Sequence, residues 1–179
     1  MYLTFYGLRE KPFNTTPDPK FLYLTPGHRE ALAQLLYGVQ ESKGFIVLTG
    51  QVGTGKTTLV HALRQLKQRI GLRCHIPPLS REQAREYIRS RLRVAGAQDL
   101  RLFSDQAVKR IAEYARGIPR LVNILCDHCL LFGFADQKRR VDRDTVGQAI
   151  KYLEEGTRPK PSPRTVLSLV RAVRHLVIR

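Results

Sequence analysis

The stretch FIVLTGQVGTGKTT, residues 45–58, constrains this chain more than any other part of it. Phe45 to Thr49 is a continuous β-branched and aromatic run, the pattern of a strand covered on both faces. Gly50-Gln51-Val52-Gly53-Thr54-Gly55-Lys56-Thr57 follows it and fits G-x-x-x-x-G-K-S/T, and Lys56 to Ile70 has the pattern of one helix. A strand, a glycine-rich loop and a helix in that order turn the backbone N–H groups of Gly53, Gly55 and Lys56 into one concavity. Glycine supplies the dihedrals and the close approach that phosphate needs there, and the helix N-terminus behind adds a favourable dipole. Lys56 is placed to reach the β- and γ-phosphates, and the Thr57 hydroxyl to ligate Mg²⁺. The expected binding stretch is therefore Gly50, Gln51, Val52, Gly53, Thr54, Gly55, Lys56, Thr57 and Thr58, with ATP and Mg²⁺ as cofactors.

Binding is not hydrolysis. Cleaving a triphosphate also needs a carboxylate pair after a second apolar strand, one acid for the Mg²⁺ shell and one for the attacking water. No apolar run closes in such a pair. The nearest string, LVNILCD ending at Asp127, lies inside a helical pattern.

Around the loop the chain divides into three parts. Residues 1–27 are rich in turn formers (KPF, TTPDPK, TPG) and are expected to be ordered but irregular, with FLYL, Phe21 to Leu24, packed inward. A helix is expected from about His28 to Ser42, with Leu32, Leu35, Leu36 and Val39 at helical spacing. LRCHI, Leu72 to Ile76, reads as a short strand stopped by Pro77-Pro78. Beyond it the pattern is helical. Ser80 opens a capping box with Gln83, Ser104 caps the next helix, Pro119 sits in the first turn of a third, and Asp142 or Asp144 caps a fourth. Four short amphipathic helices make a bundle. TRPKPSPR then reads as a stiff linker to TVLSLVRAVRHLVIR, a basic amphipathic helix. The expected division is 1–79 for the lead-in and loop-bearing part, 80–155 for the bundle and 156–179 for the tail.

Charge narrows the choice of partners. The chain holds 31 basic and 15 acidic residues, net +16, a surface that attracts nucleic acid, anionic lipid or acidic protein. Arg64 to Arg93 carries nine basic residues against Glu82 and Glu86, and residues 157–179 carry six and no acid. Cys74, Cys126 and Cys129 do not form a disulfide framework and suit a reducing compartment. Cys126 and Cys129 have half the spacing of a zinc site but no second pair, so both read as buried helix cysteines. No segment reaches the roughly 18–20 apolar residues of a membrane span, and the opening lacks a leader's apolar run. The expectation is a soluble, cytoplasmic chain, with the inner-membrane surface within reach of its tail.

MYLTFYGLREKPFNTTPDPKFLYLTPGHREAL, LLYGV and KGFIVLTGQVGTGKTTL together resemble the start of AAA+ ATPases of the ExeA/GspA type, which accompany bacterial type II secretion. Pilus-biogenesis, exosortase-associated and transposition-helper ATPases are relatives. LRQLKQRIGLRCHIPPLSREQAREYIRSRLRVAG resembles that family's later portion and FSDQAVKRIAEYARGIPRLVNILCDHCLLFGFA its lid. The resemblance covers most of residues 1–155. It implies an ATPase that assists assembly of a secretion or pilus apparatus. It gives Arg120, in Gly117-Ile118-Pro119-Arg120, the sensor 2 role of reaching the γ-phosphate. Arg64 or Arg69 would be the finger offered to a neighbour's nucleotide, and His28 would contact base or ribose.

The family normally carries its Walker B and sensor 1 strands where Leu63 here runs directly into Arg64. The implied fold is α/β: a truncated P-loop NTPase (AAA+) core reduced to a βαβ unit, followed by an α-helical lid bundle. One edge of FIVLT then loses its partner, which predicts marginal stability and self-association. Two other readings stay open: a non-hydrolysing remnant that binds nucleotide or a partner, and a DNA-associated module in the manner of transposition helpers.

Overall fold

The computed structural model describes residues 1–41, 46–62 and 72–156. Arg64 and Arg69, the rest of the helix read as far as Ile70, and the basic tail from Thr157 onward lie outside the described residues.

The lead-in is more regular than its turn formers suggest. Tyr2–Tyr6 forms a short helix, α1, closed by Gly7 in the left-handed conformation, and Pro19–Phe21 forms a 3-10 turn capped by Asp18. Both are shorter than the window in which helical periodicity shows. Tyr2 and Tyr6, one turn apart on α1, are buried, as are Phe13 and Phe21. Helix α2 spans Pro26–Gln40, β1 Ile46–Gly50, α3 Lys56–Ala62 and β2 Leu72–Ile76. The bundle helices follow: α4, Arg81–Val94; α5, Asp105–Ala115; α6, Pro119–Ala135; α7, Arg143–Glu155.

Strands β1 and β2 pair in parallel, Leu48 opposite Cys74 and Gly50 opposite Ile76. Leu48, Cys74 and Ile76 alternate onto one face, where Ala31, Leu32 and Leu35 of α2 and Leu59 of α3 cover them. Among the described residues nothing covers the opposite face. Val47 is 48% exposed, and Thr49 and His75 beside it are exposed. The expectation that β1 is covered on both faces is thus corrected. Both neighbouring helices pack on the same side of a two-stranded sheet, so a β-branched run is buried by alternation rather than throughout.

The larger core lies in the bundle. Ile88 and Leu92 of α4, Ile111 of α5, Leu125, Cys126, Cys129 and Leu130 of α6, and Val146 of α7 are buried in one cluster. Tyr2, Tyr6, Leu8, Phe13 and Phe21 belong to the same cluster, so the lead-in packs on the bundle as well as preceding α2. Each helix starts on a local signal. Ser80 makes the reciprocal capping box with Gln83, Ser104 accepts from the Ala107 N–H, and Asp142 accepts from the Thr145 N–H. No helix among the described residues is long and apolar enough to cross a membrane.

Candidate functional site

The loop leaves β1 at Gly50 and enters α3 at Lys56. Thr54, buried in the turn, donates its hydroxyl to the Gln51 carbonyl at 2.9 Å and its N–H to the same oxygen at 3.3 Å. Lys56 folds back over the loop, its ammonium donating to the carbonyls of Gly50 at 2.6 Å and Gln51 at 2.8 Å. Gly53 has φ 88°, in the region glycine alone visits freely, and a Cβ there would lie 2.7 Å from Cβ of Arg120. The loop is therefore closed against the bundle at a position only glycine fits.

What brings the bundle there is the turn between α5 and α6. The Leu79 N–H donates to the Gly117 carbonyl at 2.8 Å, and a Cβ on Gly117 would meet the Leu79 carbonyl at 2.3 Å. That contact pins the turn to the segment joining β2 to α4. Pro119, at the first position of α6, costs no hydrogen bond there. The next residue, Arg120, donates its N–H to the Gly53 carbonyl at 3.3 Å. Loop and bundle meet residue to residue.

A cleft of about 310 Å³ opens beside this contact, and Gly53 to Thr58, Arg120, His28 and part of the lead-in line it. The lead-in wall is held by Arg91, which sequence reasoning counted only as one of a basic cluster. Arg91 is buried. Its guanidinium donates to the carbonyls of Pro12 and of Asn14 (2.9 Å) and to the Tyr87 hydroxyl (3.3 Å), and it stacks 4.5 Å from the centre of the Phe21 ring. The Tyr87 hydroxyl in turn donates to Asn123 Oδ1 at 2.9 Å. The available signal was spacing. Tyr87 and Arg91 stand one turn apart on the side of α4 that carries Ile88 and Leu92, so an arginine there needs buried acceptors.

His28 is placed at the loop and lines the cleft, with its ring nitrogens bonded to Thr25 and Thr54. Its Nδ1 lies 2.6 Å from Thr25 Oγ1 and its Nε2 3.0 Å from the Thr54 carbonyl oxygen. A carbonyl only accepts, so Nε2 carries the proton and Nδ1 accepts from the Thr25 hydroxyl. Both ring nitrogens are used within the protein. Burial lowers the His28 pKa, and the bond to Thr54 opposes that only in part, so the ring is held neutral.

Acidic groups are sparse in the cleft. Asp18 is the carboxylate among its lining residues, and it is occupied with the Lys20 N–H at 3.1 Å and the Lys20 ammonium at 3.5 Å. Among the described residues no group of His, Cys, Asp and Glu is arranged to hold a metal ion. Cys126 and Cys129 are fully buried, and burial pushes both thiols up, so they stay protonated core residues.

Residues 27–178 match the model of the AAA ATPase domain family. The chain is similar to the general secretion pathway protein A of Aeromonas hydrophila, 26% identical over 262 aligned positions that take in 83% of this chain and 48% of that protein. It is also similar to an uncharacterized HTH-type transcriptional regulator of Methanocaldococcus jannaschii, 25% identical over 126 positions, 69% of this chain and 31% of the regulator. The chain thus spans about half the length of the first relative and about a third of the second. No solved structure matches it.

Proposed function

This chain belongs to the AAA ATPase domain family, and from that we propose that it binds ATP in the cleft between the Gly50–Thr58 loop and Arg120. The observation that carries the reading is the bond from the Arg120 N–H to the Gly53 carbonyl, because both residues also line the one cleft beside the glycine-rich loop, which supports a role for Arg120 at bound phosphate. In this reading the N–H groups of Gly53, Gly55 and Lys56 hold phosphate oxygens. Lys56 exchanges the Gly50 and Gln51 carbonyls for the β- and γ-phosphates, and Arg120 turns to the γ-phosphate. Bound Mg²⁺ would neutralise phosphate charge, with the Thr57 hydroxyl as its protein ligand. Residues 1–79 carry the loop, 80–155 act as its lid, and 156–179 form a basic tail. The resemblance to the general secretion pathway protein supports a role in secretion, and the same proposal takes in assembly of a secretion or pilus apparatus, a cytoplasmic place at the inner-membrane surface, and self-association.

Turnover is proposed to be weak. Among the described residues the cleft offers Asp18 and no carboxylate pair. The alignment to the secretion protein runs over 262 positions where this chain has 179 residues, which supports the loss of a long middle segment. Without that segment nothing prepares the attacking water.

Titration with a fluorescent ATP analogue beside a steady-state phosphate-release assay tests both parts. The expected result is saturable, Mg²⁺-dependent binding that Lys56→Ala weakens at least tenfold, with little phosphate release from either protein. Equal affinity for unaltered and Lys56→Ala chains would place the nucleotide elsewhere. Fast release abolished by Lys56→Ala would show that a full catalytic set is present.

A further inference from the structure

A second cavity of about 310 Å³ lies among α4, the segment before α5 and the turn before α7. Arg85, Arg89, Arg101 and Arg140 line it, with Asp105 as the carboxylate among its lining residues. Ile88, Phe103 and Val108, all buried, supply its apolar lining, which strengthens any charge pairing made there.

The four guanidinium groups have capacity to spare. Arg85 meets Asp105 at 3.3 Å and Arg89 meets Glu86 at 3.1 Å, both partly exposed pairs of the kind that exchange at little cost. Arg140 donates through Nε to the Arg101 carbonyl at 3.1 Å, which leaves the outer face of its fork unspent among the described residues. The Arg101 side chain has no hydrogen-bond or ion-pair partner among the described residues, and it is exposed. Arginine forks match phosphate oxygens in pairs.

The cationic surface also runs beyond the cavity. Arg81, Arg85, Arg89 and Arg93 repeat every fourth residue along α4, about 6 Å apart on the helix axis. A single phosphate ester would use one part of this row, whereas a polymer of phosphates uses its length. The net charge of +16 steers polyanions from a distance. A lipid surface would call for apolar side chains beside the cations, and on α4 Val94 alone among the large apolar residues is exposed. We propose that this arginine pocket and the row on α4 bind the phosphodiester backbone of nucleic acid, at a site separate from the nucleotide cleft.

The test uses the full chain and a labelled duplex of about 20 base pairs, followed by anisotropy between roughly 50 and 200 mM salt. Arg101→Gln with Arg140→Gln is expected to weaken binding about tenfold and to flatten the dependence of log K on log salt by about 2. Arg101→Gln alone, which breaks no side-chain hydrogen bond or ion pair among the described residues, carries about half of that change. A charge-matched pair, Lys11→Gln with Lys151→Gln, stays within about twofold of the unaltered chain. An unchanged slope in the arginine pair overturns the proposal, and so does an equal loss in the lysine pair. Binding of pyrophosphate or of anionic vesicles, but not of duplex, at the same salt also overturns it.

Discussion

His28 ties the start of α2 to the loop through an uncharged ring, and this gives the loop a dependence on pH. Burial lowers its pKa in the folded chain, so the unfolded chain takes up the proton first as pH falls. The stability His28 contributes is complete above about pH 6.5, the unfolded value, and drains away below it. Urea titrations between about pH 5 and 7.5 should show this fall, and His28→Gln should flatten it. His28→Ala also leaves the Thr54 carbonyl without its donor, at a cost of about 1–3 kcal/mol read from the urea midpoint. An unchanged slope in His28→Gln would detach the dependence from this residue. The strand and helix that flank the loop were legible because their signals lie in consecutive residues. The partners of His28 and Arg91 were not, because Thr54, Pro12 and Asn14 are joined to them only by the fold.

Helix ends behave in the same local way. Asp142 caps α7, and its carboxylate accepts from Lys138 Nζ, the Thr145 N–H and the Thr145 hydroxyl, each at 2.8 Å. Burial works against its ionisation, but these bonds outweigh burial and hold the pKa down to about 2. Its contribution is therefore present above the ordinary carboxyl value near 3.8 and is lost as pH falls through about 2. Asp142→Ala should cost about 1 kcal/mol at neutral pH, and acid titration by circular dichroism should show a shallower limb in the variant. Caps and stop signals made α4 to α7 readable from sequence, since Ser80, Ser104, Pro119 and Asp142 act on their own next few residues. The bare face of β1 was not readable, because burial of Val47 depends on whether a second layer of helices exists.

Across the whole molecule, the two cores differ in scale. The bundle and lead-in share an extended cluster that runs from Tyr2 to Ala149, while the sheet rests on Ala31, Leu35, Leu59, Cys74 and Ile76. Full burial of a leucine or isoleucine contributes about 1.5–3 kcal/mol, so opening of β1, α3 and β2 should precede opening of α4 to α7. Amide exchange should therefore show slow amides in α4 to α7 and faster ones at Leu48, Thr49 and Cys74. ATP should slow the second group. Uniform protection across both sets would refute this order. Sedimentation at rising concentration should detect the association that the open side of β1 invites.

The clamp that Arg91 makes on Pro12 and Asn14 governs how the molecule can be dissected. An expression boundary drawn at the first bundle helix would discard Phe13 and Phe21, which belong to the bundle's buried cluster although they come from the other end of the chain. A self-sufficient fragment must keep the first two dozen residues, spliced ahead of α4, whereas a fusion partner joined at Met1, 98% exposed, should be harmless.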